Sequence, residues 1–146
     1  MTAVSSTSRR GWHLASGAAV LAVGLQLWGL YRVAGPPQQL WFPFADKLEH
    51  AVAFTLPVML ILLAAALRRL PGRQWPSPTT QAVVVAVFAV HAVVSELIQH
   101  VWYRHRTGDP FDVVADWVGI AAGVVLLRVI VLRGSRGAYR GLVASS

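Results

Sequence analysis

The stretch SELIQHVWYRHRTGDPFDVVADWVGIAAG, residues 95–123, decides the architecture. It holds the end of one apolar segment, a short basic loop and the start of another. Four of the chain's six acidic residues fall inside it: Glu96, Asp109, Asp112 and Asp116. The other two, Asp46 and Glu49, sit together in an earlier segment. Charges concentrated this way in an otherwise apolar chain need a structural reason, because an isolated charge facing lipid costs a few kcal/mol or more.

The surrounding composition is that of a membrane protein. Hydrophobic residues make up 55% of the 146 positions and charged residues only 13%, with a mean hydropathy of +0.55. A soluble domain carries about 25% charged residues. The length predicts one domain. The net charge of +7 does not point to nucleic acid, since the arginines flank apolar runs instead of clustering on a polar module. Without cysteine there is neither a disulfide framework nor thiol chemistry.

Working outward, four transmembrane helices emerge. Residues 1–10 read as a polar tail ending in Arg9-Arg10, and Gly11 to Tyr31 carries no fixed charge. Those 21 residues suffice to cross a hydrocarbon core of roughly 30 Å. The opening loosely resembles a twin-arginine signal. The run is longer than a signal's usual apolar region and no convincing cleavage site follows, so it reads as a retained helix. Gly35-Pro36-Pro37 stops it. The aromatics Trp41, Phe42 and Phe44 suit a headgroup layer. Asp46 with Glu49 three residues on predicts a capping box at the start of a second helix, which runs to Leu67 and is kinked at Pro57. The third helix is expected from Thr80 to Trp102. Asp109-Pro110 reads as an N-cap and first helical residue of the fourth, ending near Leu132. Gly119 and Gly123 give that helix a small-xxx-small face. The domain organisation is thus a tail over 1–10, a single all-α, integral membrane four-helix bundle over 11–133, and a basic tail over 134–146.

With four spans, Arg9, Arg10, Arg68, Arg69, Arg73, Arg133, Arg136 and Arg140 share one side with no acid among them. The other side holds Arg32, Lys47, Arg104, Arg106 and all six acids. The positive-inside rule then places both termini in the cytoplasm and the acidic end outward.

Some of these acids have simple explanations. Asp46 and Asp109 fit helix caps, and Glu49 and Asp112 fit first-turn acids. Glu96 lies well inside the third helix, with Gln99 and His100 on neighbouring surface. Asp116 lies almost two turns into the fourth helix. A loop of about six residues makes these helices antiparallel neighbours, so Glu96 and Asp116 should face each other at matched depth, ~9 Å from the helix ends. His50 and either Lys47 or Arg106 should lie close by. The alternative is a buried polar network that only fixes helix register. His91, near the midplane, reads as a helix–helix hydrogen bonder. His50, Glu96, His100 and Asp116 offer metal ligands, but in no recognised spacing, and neither metal nor cofactor is assigned. Ser95 points about 100° away from Glu96, and no Gly-x-Ser-x-Gly elbow exists.

Asp46-Lys47-x-x-His50 with Phe54, then Glu96-x-x-Gln99, then Arg106-x-x-Asp109-x-x-Asp112-x-x-x-Asp116-x-x-Gly119-x-x-x-Gly123 resembles the VanZ-like family of small bacterial membrane proteins. The motifs span residues 46–123. One departure is Asp116, where the family pattern more often has Asn. The resemblance implies about four transmembrane helices, the bacterial inner membrane and cell-envelope chemistry. The family's namesake is associated with low-level teicoplanin resistance. That is a setting and not a reaction.

The expected site is an outward-facing polar pocket formed by Asp46, Lys47, His50, Glu96, Gln99, Arg106, Asp109, Asp112 and Asp116. Its partners would be membrane lipids and a polar envelope ligand: a lipid headgroup, a cell-wall precursor or a glycopeptide. Lys47 and Arg106 would meet phosphate or carboxylate. Three other readings stay open. One is an enzyme with Glu96 or His50 as general base and Asp116 as a further candidate. The others are a structural subunit, and an ion pathway, for which His91 is the sole midplane candidate.

Overall fold

A computed structural model describes residues 3–32, 42–68, 75–103 and 109–143, with side chains over 9–32, 42–68, 75–103 and 109–131. The described residues form four helices: α1 (Ala3–Tyr31), α2 (Ala45–Leu67), α3 (Pro78–Trp102) and α4 (Pro110–Val143). Each contains a segment of 22 to 25 residues long and apolar enough to cross a membrane. The outward faces fit that solvent. Leu14, Leu21, Val83, Val90, Val118 and Val125 are all exposed, a cost in water and none in hydrocarbon. The chain is a multi-pass, all-α membrane bundle.

Helix α2 is the hub. It packs most extensively on α4, then on α1, while α3 covers one side. The α2–α4 contact is close because α4 presents Gly119 and Gly123 there. A Cβ on Gly119 would fall 2.2 Å from the Ala51 carbonyl oxygen, and one on Gly123 2.8 Å from that of Thr55. The single Thr55 hydroxyl proton is shared between Ala51 O within its own helix, 2.7 Å away, and Gly119 O across the contact, 3.0 Å away. Lipid supplies no hydrophobic drive between helices, so dispersion contacts and such hydrogen bonds hold them together. The shared core is Leu30, Phe54, Val58, Leu62, Phe88, Ala92, Ile120 and Leu127. Phe54 and Phe88 meet edge to face.

Several boundaries differ from the sequence expectation. Helix α1 starts at Ala3, so most of the expected tail over 1–10 is helical, and α4 runs on to Val143 through most of the expected tail over 134–146. Neither extension contains proline, so no backbone N–H is lost from the helical ladder there and the helix propagates from the apolar segment, through Gly134, Gly137 and Gly141 in the case of α4. Helix α3 begins at Pro78 because Ser77 caps it, its Oγ accepting from Thr80 N at 3.0 Å. Helix α2 is not capped by Asp46. Its N-cap is Phe44, in the left-handed region (φ 66°, ψ 17°), with no side-chain cap bond. Asp46 lies inside the first turn and Glu49 is exposed, so the capping box does not form. Pro57 is fully buried within α2. The Gly35-Pro36-Pro37 stop and Trp41 lie outside the described residues.

Aromatic and cationic side chains mark the bundle's two ends. At one end Arg68 lies over the Trp12 ring and Arg128 over Trp75. At the other Arg32 lies over Trp28, and Tyr103 donates to the Tyr31 carbonyl at 2.5 Å. The second end carries the acids.

Candidate functional site

Two polar groups stack at the acidic end. The outer one centres on Lys47. Freed from capping, Asp46 places Oδ2 2.9 Å from Lys47 Nζ. Helix α4 adds Asp109 Oδ2 at 2.5 Å and Asp112 Oδ1 at 2.6 Å. One ammonium, with three protons to donate, thus meets three carboxylates. Asp109 also caps α4 as expected: its Oδ1 accepts from Phe111 N at 2.9 Å. The Lys47 ammonium, helped by that N–H, holds the Asp109 carboxyl below its ordinary range against the opposing effect of partial burial. Asp109 is thereby both cap and ion-pair partner.

The inner group lies one turn deeper and joins three helices. His50 of α2 places Nδ1 3.0 Å from Asp116 Oδ1 of α4, and its Nε2 lies 3.8 Å from Asp112 Oδ2. Glu96 of α3 turns inward, and its Oε2 accepts from the Asp109 backbone N at 3.0 Å. Ligand atoms of His50, Glu96 and Asp116 all lie within 4.8 Å of one another. Glu96 is 5% exposed and Asp116 0%. Glu96 Oε1 and Asp116 Oδ2 are buried without a hydrogen-bond partner among the described residues. Helix spacing explains the convergence. Lys47 and His50 are three residues apart on α2, Asp112 and Asp116 four apart on α4, so each helix presents both layers on one face.

Glu96 and Asp116 therefore do come together, and the basic group beside them is His50. Lys47 is engaged one layer out, and Arg106 lies outside the described residues. Gln99 is buried one turn from Glu96, its Nε2 also unpartnered. His100 is exposed and takes no part. His91 does bridge helices: its Nε2 lies 3.2 Å from the Tyr31 hydroxyl, beside the Phe54 and Phe88 rings. Ser95 is spent on its own helix, donating to Ala92 O.

Sequence reasoning missed the contribution of α1. A cleft of about 110 Å³ beside His50 is formed by Leu25, Gln26, Gly29, Leu30, Arg32, Glu49, His50 and Ala53. It shares Leu25, Gln26, Glu49 and Ala53 with an apolar groove of about 630 Å³ that runs down between α1 and α2. Gln26 is 4% exposed with Nε2 unpartnered. An amide deep in an apolar run was the available signal, since polar groups in a span face the protein interior.

Chemically, the arrangement sets five carboxylates against Lys47 and His50 at one end of the bundle. Lys47 is engaged by three aspartates. The His50–Asp116 pair, with Glu96 in reach, offers proton acceptors in a site largely shielded from water. No protein family, curated protein or solved structure matches the chain.

Proposed function

We propose that this is a VanZ-like protein of the bacterial inner membrane, with both termini cytoplasmic, whose acidic end receives the polar part of a lipid-linked envelope ligand. The observation that carries the reading is that the polar cleft at His50 adjoins the apolar groove between α1 and α2, the two sharing Leu25, Gln26, Glu49 and Ala53 in their walls. Such a shape suits a molecule with a small polar head and a chain. The excess of carboxylates favours a head bearing an amine, hydroxyl or amide donor over a bare phosphate. Arg32, on the cleft wall, is the cation placed to meet an accompanying phosphate. A lipid headgroup or a lipid-anchored cell-wall precursor fits this description, and competition for such a molecule would connect the site with glycopeptide tolerance.

The test uses the purified chain in nanodiscs incubated with envelope lipids of amine-bearing and amine-free headgroups. Saturable binding that favours the amine, without product, is expected. Equal binding of both lipids, or none, overturns the reading. A second reading is favoured by the 3.0 Å contact between His50 Nδ1 and Asp116, which resembles an oriented general base. On that reading the same incubation yields product. Orientation is checked with reporter fusions after Ser146, within 71–79 and within 36–45. The first two should report cytoplasm and the third the outside; a cytoplasmic third fusion would turn the acidic end inward.

A further inference from the structure

We infer that His50, Glu96 and Asp116 form a binding site for one divalent transition-metal ion, of the chemistry of Zn²⁺. The inference goes beyond the ligand reading and stands whether or not a lipid binds. Three independent helices deliver one ligand each, and the ligand atoms already lie within 4.8 Å of one another. Around an ion with bonds of about 2.0–2.2 Å, ligand atoms sit about 3–4 Å apart, so small side-chain rotations close the shell.

Glu96 Oε1 and Asp116 Oδ2 are buried and unpartnered. A buried acceptor left unmade costs about 1–3 kcal/mol, and more when charged. An ion among the three residues would satisfy such oxygens. The neighbouring cation cannot do so, because Lys47 is held by Asp46, Asp109 and Asp112.

Donor chemistry selects the ion. An imidazole nitrogen with two carboxylates is a borderline set suited to zinc and its first-row neighbours, whereas Mg²⁺ and Ca²⁺ take oxygen ligands. Without cysteine, thiolate-seeking ions have no ligand here. Three protein ligands leave a coordination position open. The surroundings already hold the ligands in place. Glu96 Oε2 is held by the Asp109 N–H at 3.0 Å. His50 Nδ1 faces Asp116 while Nε2 lies 3.8 Å from Asp112 Oδ2. With Nδ1 on the ion, Nε2–H would tighten onto Asp112, the carboxylate–histidine–metal arrangement that orients a ligating ring.

The full chain, purified in nanodiscs and stripped with chelator, is titrated with Zn²⁺ and separately with Mg²⁺ and Ca²⁺. One saturable Zn²⁺ per chain is expected, with the other two ions at least about 10-fold weaker. His50→Gln, Glu96→Gln and Asp116→Asn should each weaken Zn²⁺ at least about 10-fold. His100→Gln, on the exposed face of α3, should leave it unchanged. Should the three variants fail to fold, the wild-type chain decides alone: Co²⁺ should give visible ligand-field bands, and Zn²⁺ should raise its melting temperature. No saturable Zn²⁺ in the wild type, binding that follows His100, equal Mg²⁺ binding, or no Co²⁺ bands overturns the site.

Discussion

The Lys47 layer and the His50 layer each set one basic side chain against carboxylates, about one helical turn apart on α2, yet they are left in different states. Around Lys47 every carboxylate contact is made, and the groups keep partial access to the surface, with side-chain exposures of 13–40%. Around His50 the carboxylates are deeper and two oxygens remain open. The outer layer is therefore a clamp between α2 and the start of α4. The inner layer is the part that we propose as a receptor, because its open oxygens have no partner among the described residues. Depth makes the difference: a partner that water could replace at the rim has to come from protein or ligand one turn further in.

Both layers depend on the approach of α2 to α4, so the largest effect should come from the contact itself. Gly119→Ala drives a Cβ into backbone at Ala51, and backbone cannot swing aside. A loss of about 3 kcal/mol is expected by thermal or denaturant unfolding in detergent, and about half that for Gly123→Ala. Equal, small losses would show that the glycines do not set the helix separation.

Next in size is Lys47→Met, which leaves three aspartates facing one another. About 2 kcal/mol should be lost, less in high salt, because the group is only partly buried. A loss under about 0.5 kcal/mol would mean that solvent already screens the outer layer, and the clamp reading would fall.

Glu96→Gln separates the layers. Glutamine keeps an oxygen to accept from Asp109 N, so stability should change by less than about 1 kcal/mol in either direction. Zinc and lipid binding should nevertheless collapse. If instead the fold loses more than about 2 kcal/mol, the inner layer is a structural network and not a receptor.

The smallest effect belongs to Asp109→Asn. Asparagine caps as well as aspartate, so only the carboxylate charge facing Lys47 is lost, about 0.5 kcal/mol at neutral pH. Because the folded protein holds the Asp109 carboxyl below its unfolded value, its contribution is present above about pH 4 and lost as pH falls through the lower folded value. Unfolding measured between about pH 2 and 5 should therefore show a smaller acid loss in Asp109→Asn than in wild type. Identical pH profiles would remove Asp109 from the clamp.

Much of this was legible in the chain. Four apolar runs separated by proline, glycine and arginine predict four helices, because a bilayer of fixed thickness accepts only backbone that satisfies itself. The spacing of Asp109, Pro110, Asp112, Asp116, Gly119 and Gly123 places cap, acids and contact face on one helix. The matched depths of Glu96 and Asp116 follow from counting residues to a short loop. The capping box at Asp46 was misjudged, because local spacing does not reveal that a lysine will draw the carboxylate away. The extended ends of α1 and α4 were missed because charged residues can remain helical beyond a membrane span.

What the sequence by itself determined is thus one-dimensional: which segments span, where each polar residue lies along its helix, and which residues share a face. Helical periodicity and bilayer thickness are enough for that. Only the tertiary structure decided the rotations of the helices about their axes. Those rotations put Lys47 among three aspartates, brought His50 onto Asp116 with Glu96 nearby, and turned His100 outward. They also brought Gln26 of α1 to the cleft beside His50. Pairing at this level depends on how closely two backbones approach, and that was settled by Gly119 and Gly123 against the carbonyls of α2.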